Sequence, residues 1–383
     1  MRYLLMIWML VPLSLWAQEA EEEPKLTVGG YVKDMATFNF AGKDSTLVDN
    51  LIHNRINLAW YPTKNLTGKL EFRNRVFFGD LVKLFQPYYG DFIDVNNDYF
   101  DLSWLPVNNK DLVIHTMIDR FYFEWNKDDW EVSLGRQRIN WGMNLAWNPN
   151  DLFNAYSFFD FDYEERPGSD ALRIRKYTGY ASEIDFAIKA ADRFEDLTTA
   201  MKYQINKWNY DIQFIGGLMK NNVTLGTGWA GNLWNAGFKG EMTYLRSLDE
   251  TIDNGFLASV SIDYLFANSL YLNASGLYNS YGKESPNIFL VNTSSNLDIR
   301  SVSPYNWSTF VQGSYPVHPL VNTGLSAIFF PSDGSVFINP FVTYSIASNL
   351  DLDFISQLFL SEGMGDNYKA QSKLFYLRLK FSY

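Results

Sequence analysis

Arginines spaced two residues apart recur in the first half of the chain: Arg73 with Arg75, Arg136 with Arg138, and Arg173 with Arg175. Positions i and i+2 of a strand share a face. With Arg55 and Arg120, these pairs would therefore gather fixed positive charge on one side of a sheet, the kind of wall that selects ions and orients dipolar solutes. Counter-charge stands close by in sequence. Residues 141 to 170 carry Asp151, Asp160, Asp162, Glu164, Glu165 and Asp170 against the single basic residue Arg166. Base catalysis has only His53, His115 and His318 to draw on. His318 sits between two prolines in an expected tight turn, a structural place, and neither a Gly-x-Ser-x-Gly elbow nor a His-Glu-x-x-His zinc motif occurs. The chain therefore reads as non-enzymatic and without a cofactor. Asp91, Asp94, Asp98 and Asp101 offer oxygen ligands, but not at EF-hand spacing, so they read as a solvated loop with no metal.

The elements that must hold these residues announce themselves at the end of the chain. Phe375, Leu377, Leu379, Phe381 and Tyr383 alternate with Tyr376, Arg378, Lys380 and Ser382, the period of a strand between lipid and water. Seventeen further segments have strand character, near 26–40, 47–61, 66–78, 112–126, 129–140, 171–180, 184–191, 197–206, 208–219, 223–230, 236–246, 255–266, 269–279, 307–315, 319–330, 335–346 and 350–361, before the last at 372–383. Every second connection is short, whereas 79–111, 141–170 and 280–306 are long. This asymmetry belongs to an all-β, antiparallel up-and-down transmembrane barrel of about 18 strands; since 184–191 and 223–230 are the weakest segments, 16 strands stays open.

Parity then assigns faces. Leu66, Leu70, Phe72, Val76 and Phe78 would meet lipid, leaving Glu71, Arg73 and Arg75 inside. Similarly Ile52, Ile56, Leu58 and Trp60 put His53 and Arg55 inside, and Phe121, Phe123 and Trp125 do the same for Arg120 and Glu124. Arg or Lys on the lipid face costs about 2–4 kcal/mol at mid-membrane, which forces the arginines inward. Arg136 and Arg138 share a register with Val132 and Leu134, so they are assigned inward on energy alone. Lys202, Lys239, Lys380, Asp211, Asp263, Asp351 and Asp353 complete the expected interior, wet rather than apolar.

Residues 1–17 read as a cleaved signal peptide, 18–25 as an acidic lead-in and 26–383 as one barrel domain. No segment reaches 18 consecutive apolar residues, so membrane-spanning helices are excluded. Aromatics make up 17% of the chain, an excess that two interfacial girdles absorb. A net charge of −11 with no basic run argues against nucleic acid. Loop 141–170 is expected to fold into the barrel and set its carboxylates opposite the arginine wall. The alternative keeps it as an external lid, with the arginines paired to Glu71 and Glu124.

The run LGRQRINWG at 134–142, then Asn148-Pro149 with Asp151-Leu152-Phe153, then EERPGSDALR at 164–173, resembles porin-like outer-membrane barrels of the alginate-export and phosphate-selective type. The resemblance implies a bacterial outer-membrane channel passing small hydrophilic solutes, anions among them, with Arg136 and Arg138 near its narrow part. It covers about 40 residues. Expected partners are the lipid bilayer and lipopolysaccharide, small polar solutes, and the barrel-assembly machinery, which would read Phe381 and Tyr383. The external loops leave room for a homo-oligomer or a partner protein. A closed barrel acting as an anchor or surface-interaction partner is the competing reading.

Overall fold

The computed structural model describes residues 24–40, 45–155, 161–283, 299–362 and 368–383. The expected signal peptide, Asp160 and most of loop 280–306 lie outside the described residues. The strands, in chain order, are β1 (Leu26–Phe40), β2 (Thr46–Thr63), β3 (Leu66–Gly79), β4 (Ser103–Asn108), β5 (Val113–Lys127), β6 (Trp130–Gln137), β7 (Ser169–Gly179), β8 (Ser182–Lys189), β9 (Thr198–Lys207) and β10 (Tyr210–Met219). They continue as β11 (Asn222–Leu233), β12 (Ala236–Ser247), β13 (Gly255–Leu265), β14 (Tyr271–Asn279), β15 (Trp307–His318), β16 (Val321–Phe330), β17 (Ser335–Ala347), β18 (Leu350–Glu362) and β19 (Tyr368–Ser382). Leaving out β4, each pairs antiparallel with the next and β19 returns to β1, so the wall is a closed 18-strand barrel. Sixteen strands is thereby excluded.

Closure pairs the eighteen wall strands around the barrel without an open end, which is what lets strands stand in hydrocarbon. At the seam, the Gly30 N–H donates to the Tyr383 carbonyl and the Tyr383 N–H to the Gly30 carbonyl, at 2.9 and 3.0 Å. A Cβ on Gly30 would lie 2.1 Å from the Arg55 carbonyl oxygen, so only glycine lets the strands approach here. The short-turn end owes its compactness to two-residue hairpins. Trp208 and Asn209 both have positive φ, 57° and 62°, the type I′ geometry that matches strand twist.

The outward face is apolar in the register parity assigned, with Trp60, Phe78, Phe121, Phe123 and Trp125 all exposed, and elsewhere Leu134, Phe214, Leu225, Leu325 and Phe354 are more than half exposed. Trp60, Trp125, Trp130, Trp208 and Trp234 ring the short-turn end, and Phe40, Phe78, Trp307 and Phe375 the opposite end. No helix among the described residues is long and apolar enough to cross a membrane.

Two features depart from the sequence reading. Loop 79–111 is not bare: it holds helices α1 (Asp80–Leu84) and α2 (Tyr89–Ile93) and the strand β4. Strand β6 ends at Gln137, short of residue 140, and the chain leaves the wall there. It therefore covers only Phe121–Lys127 of β5, and β4 takes over beside Val113–Met117 on the edge left bare. The interior also departs from the expected wet lumen. Ile139, Trp141, Leu152 and Phe153 pack on Ala187, Ala200, Ile215, Leu245 and Leu257, and Trp147 packs among Leu277, Phe310, Ile328 and Phe337. One side of the bore is an apolar core.

Candidate pore constriction

Between β6 and β7, the described residues 138–155 and 161–168 run inside the barrel, and asparagines and one glutamate fix the first of these limbs. Glu241, wholly buried on β12, accepts from the backbone N–H groups of Met143, Asn144 and Asn150 at 2.5, 2.8 and 3.0 Å. Asn150 donates to the Thr227 carbonyl and accepts from the Thr243 hydroxyl. Gly226 and Gly228 make room for it, since a Cβ on either would come within 3.0 Å of its amide. Asn144 reaches Ser259 and Ser261 on β13, and the Trp141 indole donates to Asp185 on β8 at 2.8 Å. An amide side chain, with two donors and two acceptors, suits a chain crossing a barrel with no strand of its own to pair with.

Residues 161–166 form the second limb, against the opposite wall. Asp162 meets Lys33 of β1 at 2.7 Å, His53 of β2 at 2.9 Å and Arg378 of β19 at 3.5 Å. Burial opposes its ionisation, but the His53 hydrogen bond and the Lys33 charge outweigh it and hold the carboxyl well below the usual carboxylate range. Glu164 pairs with Lys380 at 2.9 Å, and Glu165 stands 3.6 Å from Arg55 and accepts from the Tyr31 hydroxyl. Tyr163 stacks under the Arg73 guanidinium at 3.7 Å and donates to Asp119.

The sequence-derived arginines divide by environment. Arg55 is wholly buried among Glu71, Asp119 and Glu165. Arg120 pairs with Asp119 and donates to the carbonyls of Glu165 and Arg166. Arg173 grips Asp185 at 2.5 Å, and Arg175 pairs with Glu131. Glu124, proposed as an arginine partner, instead accepts from Asn126. Arg73 and Arg75 each head a relay. Arg73 Nε donates to His53 Nε2 at 3.3 Å, which puts the ring proton on Nδ1, facing Asp162. Likewise Arg75 meets His115 Nδ1 at 2.9 Å, and His115 Nε2 meets Asp94 of loop 79–111 at 3.1 Å.

Arg136, Arg138 and Asp170 stand apart from the rest. Asp170 belongs to β7 rather than to the loop, and register sets it opposite Arg136, in line with Leu134, Leu172 and Phe121 of the outward face. Arg136 is clamped there by Asp170 at 2.8 Å and by the Phe100 carbonyl at 2.5 Å, so its inward assignment is corrected. Loop 79–111 closes over the pair, as the Phe100 N–H also donates to Asp170. Energy had argued that a charge cannot face lipid; a covering loop satisfies the same constraint. Gly135, at φ 120°, allows the close approach, since a Cβ there would lie 2.2 Å from the Phe121 carbonyl oxygen. Arg138 lies one residue past β6. Its charge acts on Asp151, a buried carboxyl that also stands near the Trp141 backbone N–H. Burial pushes the Asp151 carboxyl up to about 8, against the pull of Arg138.

Lys33, Asp119, Asp185, Glu241 and Arg378 were not singled out as site residues. Lys33, Glu241 and Arg378 had a readable signal, as charges at inward-parity positions of apolar strands. The loop aspartates have protein partners: Asp94 binds Ser103 as well as His115, Asp98 pairs with Lys189, and Asp101 binds Ser103. No cluster among the described residues has the makings of a metal site. Side chains of the inward limb and the inward register that stay partly exposed carry both signs, with Glu164 at 41%, Glu165 at 24%, Lys380 at 21% and Arg175 at 23%.

No family model and no curated protein matches the sequence. Solved structures match in fold. OccK9 (OpdG) of Pseudomonas aeruginosa superposes with a TM-score of 0.57 at 9% identity, over 93% of this chain and 98% of that one. OccAB2 of Acinetobacter baumannii gives 0.56 at 8% identity over 94% and 98%, and OccD3 (OpdP) of P. aeruginosa 0.54 at 8% over 93% and 91%. The chain shares the fold of these solved structures over nearly its whole length, as a closed antiparallel 18-strand barrel.

Proposed function

We propose that this protein is a passive channel of the bacterial outer membrane, with the short turns in the periplasm, admitting small hydrophilic solutes past a constriction formed by residues 138–155 and 161–168. One observation carries the reading: the inward segment is tied to both walls of a closed barrel, while Glu164, Glu165, Lys380 and Arg175 stay partly exposed. Charges of both signs bordering a narrow passage filter ions and polar solutes. Anion preference, and membership of the alginate-export and phosphate-selective type, are the finer parts of the proposal. They rest on the resemblance of residues 134–173 and on the density of cations on β1, β2, β3 and β19. Loop acids offset much of that charge, so selectivity should be modest.

Single-channel recording in a planar bilayer under a salt gradient tests this. The wild type should give steady conductance with a reversal potential on the anion side, and Arg73→Ala with Arg75→Ala should move it toward cations. Silence from a correctly folded, heat-modifiable barrel would overturn the open channel. It would favour the closed anchor or assembly partner, a reading supported by the apolar core around Trp141 and Trp147.

A further inference from the structure

On the outside of the barrel, β13, β14 and β15 share a groove of about 460 Å³ lined by Phe256, Ala258, Val260, Gly276, Tyr278 and Trp307. It arises because small residues meet on the outward register: Gly276 lies opposite Val260 and Thr309, and Ala258 opposite Tyr278. A Cβ on Gly276 would touch nothing within 4 Å. Above the hollow runs a row of aromatic rings, with Phe256 6.4 Å from Tyr278 and Tyr278 4.8 Å from Trp307. These rings stand at the long-loop ends of their strands. Gly276 is three residues inside the end of β14, which at strand rise and barrel tilt is about 8 Å below the rim. The groove therefore opens to hydrocarbon just beneath one interface, and an acyl chain is what the surrounding medium offers it.

Charge completes the site. Tyr244 of β12 pairs with Phe256, and two residues further along the same outward register stands Arg246, exposed and without an ion-pair partner among the described residues. The adjoining turn carries Asp249, Glu250 and Asp253, so charge alone would not draw a soluble anion here. A phosphate tethered to a chain already seated in the groove is delivered to Arg246 regardless.

We propose that this groove binds a phosphorylated glycolipid of the outer leaflet, of the lipid A class, with one saturated acyl chain beneath the Phe256–Tyr278–Trp307 row and a sugar phosphate at Arg246. The inference rests on the orientation proposed above, which places the long loops outside the cell. It is tested without reference to conductance, by native mass spectrometry of the full barrel released from detergent. Hexa-acylated bisphosphorylated lipid A, its dephosphorylated form and dipalmitoyl phosphatidylethanolamine are added separately. Wild type should retain one lipid A per chain. Gly276→Leu, which grows into open space and leaves the barrel folded, should lower that retention severalfold, because the leucine takes the hollow in which the chain packs. Arg246→Ala should abolish the preference for lipid A over its dephosphorylated form. Equal retention by all three proteins would overturn the site. Equal retention of phosphatidylethanolamine and lipid A by wild type would reduce it to a generic acyl groove and overturn the glycolipid. A wild-type dimer dissociated by Gly276→Leu would instead make the face a contact between copies.

Discussion

Asp151 is an acid that the fold buries almost completely, in the field of Arg138 and Glu241. Its carboxyl is raised to about 8 from an ordinary 3.8 by burial. The folded protein thus favours the proton more than the unfolded chain does, so the associated stability is complete below pH 3.8 and is lost as pH climbs toward 8. The thermal midpoint, read as loss of heat-modifiable mobility, should fall between pH 5 and pH 9 in the wild type, and Asp151→Asn should flatten that part of the profile. An unchanged slope in the variant would place the titration elsewhere. Arg55 shows the opposite economy of charge: it is as deeply buried but surrounded by three carboxylates. Removing one member of such a buried cluster costs about 3–5 kcal/mol, because the remaining charge is stranded.

The inward segment behaves as two limbs with different fastenings. Limb 139–153 is held by apolar packing and by Glu241, whereas limb 161–166 is held by ions, chiefly Asp162 on Lys33, His53 and Arg378. The second limb should therefore be the one that yields. In Asp162→Ala, single-channel records should show larger and noisier openings, with the barrel still folded; Asp162→Asn, which keeps one hydrogen bond to His53, should fall between. Records identical to wild type would mean that this limb does not border the conducting path. That the segment enters the barrel was an expectation drawn from its length and acid content. Which wall each limb would meet was illegible, because Glu241, Thr227 and Ser259 lie 77 to 115 residues from the groups they bind and bear no local sign of their partner. Even Arg136 misled, since parity reports only which face a residue occupies, and no local pattern shows that a distant loop covers that face.

At the scale of the molecule, period and turn chemistry decided almost everything. All eighteen wall strands were legible because each must alternate against lipid, and the long-loop and short-turn ends were legible because hairpins of two residues leave little to misread. Strand β4 was not legible, being six residues of SWLPVN inside a long polar loop. Closure makes the whole wall depend on the seam. The Tyr383 hydroxyl donates to the Arg55 carbonyl at 3.0 Å and lies 3.3 Å from the Asn54 amide. Tyr383→Ala removes these bonds at about 0.5–1.5 kcal/mol each. It should reduce the yield of heat-modifiable barrel on insertion into liposomes, while Tyr383→Phe, which also lacks the hydroxyl, should show how much of the loss belongs to the ring.

A closed sheet ordinarily has nothing to defend against its neighbours, but this one does, over six residues. Among the described residues strand β4 pairs only with β5, so its far side is a border where another chain could add a strand. Two of its properties discourage that. It is too short to template a long ladder, and Pro106 at its middle carries no N–H to offer. The register slips between Trp104 and Val107, so even a well-matched strand would find the row of donors and acceptors broken. The patch that completes the wall above β6 is thus built to accept no successor. A barrel crowded among copies of itself can leave that border bare without polymerising along it.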